Sequence, residues 1–345
     1  MPHAPVRLSV CIATLNRARY LGETLRSILD QLEPGVEVVV VDGASTDQTA
    51  AIVNGYAATH PALRYFREPV NSGVDLDYDK AVGYARGDYC WLMTDDDLLA
   101  PGAIARVLGA VSDGADLVVV NAQSRTLDLS RVVDVRLLAC FEDRLYGPQA
   151  QEAFFVEAAN LLSFIGATVV RREIWLARDR LSYAGSLFIH VGVIFQAPLQ
   201  QVRLICEPQV IIRWGNAMWS ARAFEIWMFK WPQLIWSFAG FSEAARAAVC
   251  PREPWRNPRM LGLHRALGGY SDSEYQKWLA PRGDRGSRLV ARAVARVPPR
   301  AANLLAALYC LTVARSNRRE LHDLACGRHS TFLARWAARR TGLQD

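Results

Sequence analysis

The sequence predicts an α/β fold: a doubly wound, mostly parallel sheet followed by a helical, basic C-terminal extension. Three observations carry that expectation. Strand and helix signals alternate through the first 121 residues, residues 36–41 are a near-unbroken valine run, and arginine accumulates toward the C-terminal end. Alternation of this kind builds parallel sheets, whose strands are covered on both faces and read as continuous apolar runs. With 345 residues, 51% hydrophobic and 21% charged, the chain has a globular balance that excludes wholesale disorder and predicts about two domains.

Taken in order, Leu8–Thr14 is a short apolar run with β-branched residues, the first strand. Tyr20, Leu21, Thr24, Leu25, Ile28, Leu29 and Leu32 share one helical face, and Pro34-Gly35 ends that helix. The valines form the second strand. Ser45-Thr46-Asp47-Gln48 has capping-box spacing and opens a helix toward Tyr56. Residues 63–66 read as a third strand, 77–85 as a helix, Tyr89–Met93 as a fourth strand, and 117–120 as a fifth after a helix opened by Pro101. Beyond Asn121 the regularity fades. Helices are expected near 148–161, 171–177 and 186–195, a strand near 167–170, and extended chain over Val202–Arg213. Tryptophan is dense from Trp214 onward, and residues 285–340 read as arginine-rich amphipathic helices.

No apolar run reaches the ~18 residues needed to span a bilayer. The longest, residues 301–314, reads as a buried helix, and residues 1–6 carry no pattern of a secretory signal. The seven cysteines are odd in number, scattered and never spaced Cys-x-x-Cys, so neither a zinc site nor a disulfide framework is expected. They read as small core residues in a reducing cytoplasm. The net charge of +6 is uneven: residues 245–345 hold 19 Arg/Lys against 7 Asp/Glu, the rest 21 against 27. An acidic half and a basic tail point to an anionic partner, whether nucleic acid, an anionic membrane surface or a phosphorylated substrate. No nucleic-acid motif supports the first.

Ligands of open parallel sheets bind beyond the carboxyl ends of the strands, so the polar residues that follow each strand are the candidates. These are Thr14, Asn16 and Arg17 after the first, Asp42 and Ser45 after the second, and Asp95, Asp96 and Asp97 after the fourth. Three consecutive carboxylates repel one another and call for a counter-charge. A hard divalent cation, Mg²⁺ or Mn²⁺, supplies it and also attracts phosphate oxygens. Read alone, the triplet fits either a cation site or a solvated acidic turn. Gly-x-Gly-x-x-Gly and P-loop signatures are absent.

In combination these segments resemble family 2 glycosyltransferases, which have the GT-A fold. Ser9-Val10-Cys11-Ile12-Ala13-Thr14-Leu15-Asn16-Arg17 is similar to their opening strand, and Val38-Val39-Val40-Val41-Asp42-Gly43-Ala44-Ser45-Thr46-Asp47 to their second. Asn71-Ser72-Gly73, Lys80-Ala81 and Ala85-Arg86-Gly87-Asp88-Tyr89 resemble the approach to the metal strand, and Thr94-Asp95-Asp96-Asp97 the Asp-x-Asp signature. The pattern is most similar to bacterial O-antigen and polysaccharide transferases, including the abequosyltransferase-like group. The resemblance implies a nucleotide-sugar site formed by Ala13, Thr14, Asn16, Arg17, Asp42, Ser45, Asn71, Lys80, Asp95 and Asp96. Within it Asp42 would meet the base and Asp95 the ribose. Asp97, with Asp95, would hold Mn²⁺ or Mg²⁺ on the diphosphate.

An inverting transferase also needs a base for the acceptor hydroxyl. His190 falls where the family carries an acid, with Asp179 as the runner-up; a core histidine and a charged helix end are the competing readings. Trp214 and Trp219 are candidate acceptor contacts, since indole faces stack on sugars, and a Trp-rich core is the competing reading. The implied domains are a nucleotide-sugar-binding half at 1–121, an acceptor-binding half at 122–215 and the helical region at 216–345. The implied activity is metal-dependent, inverting transfer of a sugar to a glycan or lipid-linked glycan in cell-surface polysaccharide synthesis. Its setting would be cytoplasmic, peripheral on the inner face of the membrane. A nucleotidyltransferase acting on sugar phosphates and a non-catalytic glycan- or nucleotide-binding relic are the alternatives.

Overall fold

The computed structural model describes residues 5–314 and 317–344; the first four residues of the segment read as carrying no secretory signal lie outside them. Strands β1 (Leu8–Thr14), β2 (Val36–Asp42), β3 (Leu63–Arg67) and β4 (Tyr89–Met93) lie parallel in the order β3-β2-β1-β4. The remaining strands are β5 (Leu98–Leu99), β6 (Leu117–Arg125), β7 (Val132–Asp134), β8 (Arg144–Tyr146), β9 (Thr168–Arg171) and β10 (Val202–Arg213). On the β4 side the sheet continues β9-β6-β10-β5, with β9 antiparallel to both β4 and β6 and with β5 and β8 antiparallel to β10. The chain winds outward through β1, β2 and β3, then returns across β1 to β4. That reversal makes the β1/β4 edge the topological switch point, where ligands of such sheets bind.

Helices α1 (Ala18–Leu29), α2 (Thr49–Ala57), α3 (Val74–Tyr84) and α4 (Ala103–Val111) connect the first strands; α5 (Gln151–Leu162), α6 (Arg172–Ala177) and α7 (Ile189–Phe195) follow. Every residue of β1, β2 and β4 is buried, as the continuous apolar runs require. Besides Asp42 at the end of β2, the charged exception is Glu37. It accepts hydrogen bonds from Ser9 Oγ (2.8 Å) and the Arg86 backbone N–H (2.6 Å) and pairs with Arg64 (3.1 Å), so its charge is answered where it is buried.

Two compact units result. The first comprises residues up to Ser124, Val135–Arg213 and Phe238–Val249; the second comprises Arg125–Asp134, Trp214–Ser237 and residues from Cys250 onward. The first unit takes in 1–121 and most of 122–215, where β6, β9 and β10 complete the sheet begun by β1–β4, while residues 125–134 and 214–215 fall in the second. In the second unit, helices Pro299–Thr312, Arg318–Cys326 and Phe332–Arg340 close around Ala307, Cys310, Leu321, Leu324, Ala334 and Ala337. A neighbouring cluster gathers Phe224, Trp255, Tyr270 and Tyr275, with Phe224 and Tyr270 stacked at 4.7 Å.

Two expectations are corrected. The helix over 301–314 is not buried all round. Ala302, Asn303, Ala307 and Cys310 face inward, whereas Leu304, Leu305 and Leu308 are 46%, 63% and 49% exposed. The cysteines do include one disulfide, Cys140–Cys206, with Cα atoms 5.4 Å apart; partners 66 residues apart leave no spacing signal.

Glycine at 87 is dictated by close approach. A Cβ there would lie 2.8 Å from the Ser9 backbone N and 2.9 Å from the Leu8 carbonyl carbon, contacts that only backbone movement relieves. Gly83, in α3, has open space at the same position. Gly87→Ala is therefore expected to destabilise the fold by about 1–3 kcal/mol. Gly83→Ala is expected to leave it unchanged or slightly more stable. Equal melting temperatures for the two variants would refute this account.

Candidate active site

Strand register brings the three rims together: Thr14 pairs with Asp42, and Ile12 with Met93, two residues before Asp95. The loops after β1 and β2 then clasp each other. Asn16 adopts a left-handed conformation (φ 55°), which asparagine tolerates, and its backbone N–H donates to Ser45 Oγ at 2.8 Å. Asn16 Oδ1 accepts from the Thr46 N–H at 2.7 Å. Asp47 Oδ2 receives the Ala18 N–H, and its Oδ1 the Thr49 N–H, each at 3.0 Å. Asp47 therefore performs the capping that sequence spacing assigned to Ser45, while Gln48 sits at the N-cap of α2 without a side-chain cap.

Asp42 is fully buried. Its two oxygens accept from the Ser45 N–H (2.7 Å) and the Tyr65 hydroxyl (2.6 Å). The residue expected to meet a nucleotide base is thus already engaged in shaping the turn. Gly43 follows because a Cβ there would come within 2.6 Å of Asp77 Oδ2. Ala13 and Thr14 are buried at the end of β1.

The carboxylate triplet is answered from two directions. Arg17 donates through Nε to Asp95 Oδ1 at 3.2 Å and pairs with Asp96. Asp97, 3% exposed, accepts from Thr94 Oγ1 (2.5 Å) and from the Arg213 backbone N–H (2.8 Å). The Arg213 guanidinium donates to the Asp96 carbonyl oxygen at 3.1 Å and pairs with Glu23. Both guanidinium groups lie over the Tyr20 ring, at 5.2 and 5.1 Å. The compensation is incomplete. Burial and then repulsion from Asp96 push Asp97 up to about 8, and the same two causes push Asp95 to about 6 against the pull of Arg17.

Among the described residues no set of three or more His, Cys, Asp or Glu side chains encloses a metal. The donor set nonetheless fits a hard cation. Mg²⁺-like ions take one or two carboxylates and complete their shell with water and phosphate oxygens, and a bound cation would favour the ionised forms of Asp95 and Asp97.

Other expected residues divide. Lys80 is held by Glu68 (2.7 Å) and Ser72 (2.8 Å), with Asp77 at 3.9 Å. Asn71 is exposed and caps its own turn through the Gly73 N–H at 2.8 Å. Sequence reasoning missed Arg213, Tyr20, Tyr65 and Asp75. Asp75, buried at the start of α3, accepts the backbone N–H groups of Leu187 (2.8 Å) and Ile189 (3.2 Å) and so fixes the loop entering α7. The only sequence signals were an arginine closing an extended run and an acidic first turn.

His190 departs from its expected role. Its ring is 1% exposed, and Nε2 donates to the Leu162 carbonyl oxygen at 2.7 Å. Nδ1 has no hydrogen-bond partner among the described residues. A general base must reach the acceptor hydroxyl, and this ring is packed inside the fold. Burial also pulls its pKa from the ordinary 6.5 down to about 4, overriding the Leu162 bond. Asp179 is exposed and serves as a turn cap, accepting the Ser182 N–H at 3.2 Å; the Ser182 hydroxyl and then its N–H hold the carboxyl below the usual range. Trp214 and Trp219 belong to the second unit. Trp214 Nε1 donates to Asp323 Oδ1 at 2.7 Å, and Trp219, half exposed, meets Trp227 edge-on at 6.0 Å.

A sheet that is parallel through its switch point, with arginine-framed carboxylates at that edge, defines a glycosyltransferase of the GT-A type. The chain belongs to glycosyl transferase family 2: residues 9–174 match that family, "Glycosyl transferase family 2". Abequosyltransferase RfbV of Salmonella typhimurium is 30% identical over 223 residues, 61% of this chain and 67% of that protein. Chondroitin synthase of Escherichia coli is 30% identical over 121 residues, 35% of this chain and 18% of the synthase. Among solved structures, S. aureus TarS 1–349 superposes with a TM-score of 0.59 at 16% identity, covering 98% of this chain and 92% of TarS, and supports the fold. The same TarS segment in complex with UDP gives a TM-score of 0.58 at 17% identity. The chain is accordingly a glycosyltransferase.

His190 supplies a pH test. With a pKa of about 4 folded against about 6.5 unfolded, the group stabilises the fold above 6.5 and loses that contribution as pH falls toward 4. His190→Gln, which removes the titration, is expected to flatten part of the fall in melting temperature between pH 6.5 and 4. It is expected to change turnover per folded molecule by less than about tenfold. A loss of ~10²-fold or more with the melting temperature intact would restore the catalytic assignment.

Proposed function

We propose that the chain moves a sugar from a nucleotide-sugar donor to a glycan or lipid-linked glycan acceptor, in one inverting displacement assisted by a divalent cation. The observation that carries this reading is the triplet Asp95-Asp96-Asp97 at the switch point, three crowded carboxyl groups framed by Arg17 and Arg213. Asp97 and Asp95 would hold Mn²⁺ or Mg²⁺. Such an ion stabilises the charge that develops on a departing nucleoside diphosphate.

The protein's own residues do the rest. Arg17 bridges Asp95 and Asp96 and screens their mutual repulsion. The clasp of Asn16 with Ser45 and Thr46 fixes the rim on which the nucleoside would rest. Abequosyltransferase activity in a relative and UDP bound to TarS support a nucleotide donor without fixing base or sugar. Trp219, half exposed, remains the proposed acceptor contact.

We place the work at a membrane surface. No helix among the described residues is long and apolar enough to cross a bilayer. The exposed leucine face of the helix Pro299–Thr312 lies within a segment of 19 basic against 7 acidic residues, the combination that docks on anionic lipid.

Two measurements test these readings. Asp97→Asn keeps an acceptor for the Arg213 N–H, so the fold should persist while turnover falls by at least ~10²-fold. In a thermal-shift screen of nucleoside diphosphates, the variant should lose the added stabilisation that Mn²⁺ confers. Unchanged turnover sinks the metal assignment. Anionic vesicles should retain the wild-type protein at low salt and release it as salt screens the charges. Leu305→Glu with Leu308→Glu should abolish retention, and equal binding to neutral vesicles would refute the docking surface.

A further inference from the structure

Cys326 is the exposed free thiol of the chain; Cys11, Cys90, Cys250 and Cys310 are buried, and Cys140 and Cys206 are bonded to each other. It closes the helix Arg318–Cys326, so His322, four residues earlier, lies on the same face. His322 Nε2 is 3.5 Å from Cys326 Sγ, and His322 Nδ1 is 3.3 Å from Asp323 Oδ1. Gln344 Nε2 donates to the same sulfur at 3.2 Å. Asp323 is itself fixed by the Trp214 indole N–H at 2.7 Å, and the Arg319 guanidinium lies over that indole at 5.5 Å while pairing with Asp134. Thiol, imidazole and carboxylate thus stand in line, with two donors aimed at sulfur. That is the arrangement that activates a sulfur nucleophile. Nothing in the glycosyltransferase site uses it.

We propose that Cys326 is a modification site, a thiolate poised by His322, Asp323 and Gln344 to undergo exchange with low-molecular-weight disulfides. The Cys326 sulfur attacks one sulfur of the small disulfide. A new S–S bond forms, the old one breaks, and the departing thiolate carries away the electron pair and takes a proton from the His322 imidazolium or water. Cys326 is oxidised to the mixed disulfide as the other half of the reagent is reduced.

The charge states agree with that role. The hydrogen bond from His322 lowers the Cys326 thiol despite partial burial. Burial alone would lower His322, but the bonds to Asp323 and Cys326 raise it to about 9. Between those titrations the pair is thiolate and imidazolium, flanked by the Asp323 carboxylate, with Gln344 and Trp214 as neutral donors.

The test uses the full-length chain. Iodoacetamide alkylation of Cys326, followed by peptide mass spectrometry across pH 5–9.5, should reach half its maximal rate well below the ~8.5 of an ordinary thiol. His322→Gln should return the midpoint toward ~8.5 and slow alkylation at pH 7 by roughly 3–10-fold. Asp323→Asn should act in the same direction, more weakly. Glutathione disulfide, with far-UV circular dichroism unchanged, should add one glutathione per chain, at Cys326. A wild-type midpoint at ~8.5, or an adduct forming first on another cysteine, overturns the proposal. The wild-type measurements decide it even if both variants fail to fold.

Discussion

Mutual repulsion among Asp95, Asp96 and Asp97 is the constraint around which the sheet's active edge is organised. Three carboxylates at the end of a buried strand need positive charge brought from elsewhere in the chain. It arrives from Arg17, three residues beyond β1, and from Arg213, the last residue of β10. The two guanidinium groups share the Tyr20 ring, so one aromatic side chain on α1 orients both. Because β10 reaches the triplet through a backbone N–H on Asp97, the antiparallel half of the sheet is tied to the parallel half at the point where a ligand would bind.

A second consequence follows from how polar groups are spent on the neighbouring rim. Asp42, Ser45, Asp47 and Asn16 each accept a backbone N–H from the neighbouring turns, and Asp42 takes the Tyr65 hydroxyl as well. Buried polar groups without partners are costly, so a short turn between two buried strands must satisfy its own N–H groups locally. These side chains therefore hold the rim rigid. Geometry fixed this way is what lets a site meet a charged donor without reorganising.

The parallel core was legible because its signals are local. The valine run of β2, the alternation through Tyr89–Met93 and the glycine and proline breaks each report on a few neighbouring residues, and β1, β4 and β10 match their expected bounds. The site was half legible for the same reason. Strand-end carboxylates can be read off a topology, and their order matches a known family. Arg213 and Asp75 could not be read this way, since each acts on a partner more than 110 residues distant in the chain. His190 shows the opposite failure. Its position in the order of motifs pointed to chemistry, while the packing of α7 against α5 encloses it, and burial is not written in a position along the chain. The Cys140–Cys206 pair is a third case, visible only once β10 stands beside the 140 loop.

The second unit follows a different packing logic. Its inward positions at Ala302, Ala307, Ala334, Ala337 and Ala338 are small, which lets short helices approach closely around Leu321, Leu324 and Leu343. The large apolar side chains of the helix Pro299–Thr312 are turned outward, and Phe332 at the head of the last helix is 71% exposed. An exposed leucine face of this kind suits a surface that something else covers. A second copy of the chain is a poor cover, because it would bring together two segments that each carry 19 basic against 7 acidic residues. In the proposed docking, an anionic lipid surface would answer both properties at once, receiving the leucines among its acyl chains and the arginines among its headgroups. The same charge that disfavours self-association would then select the partner.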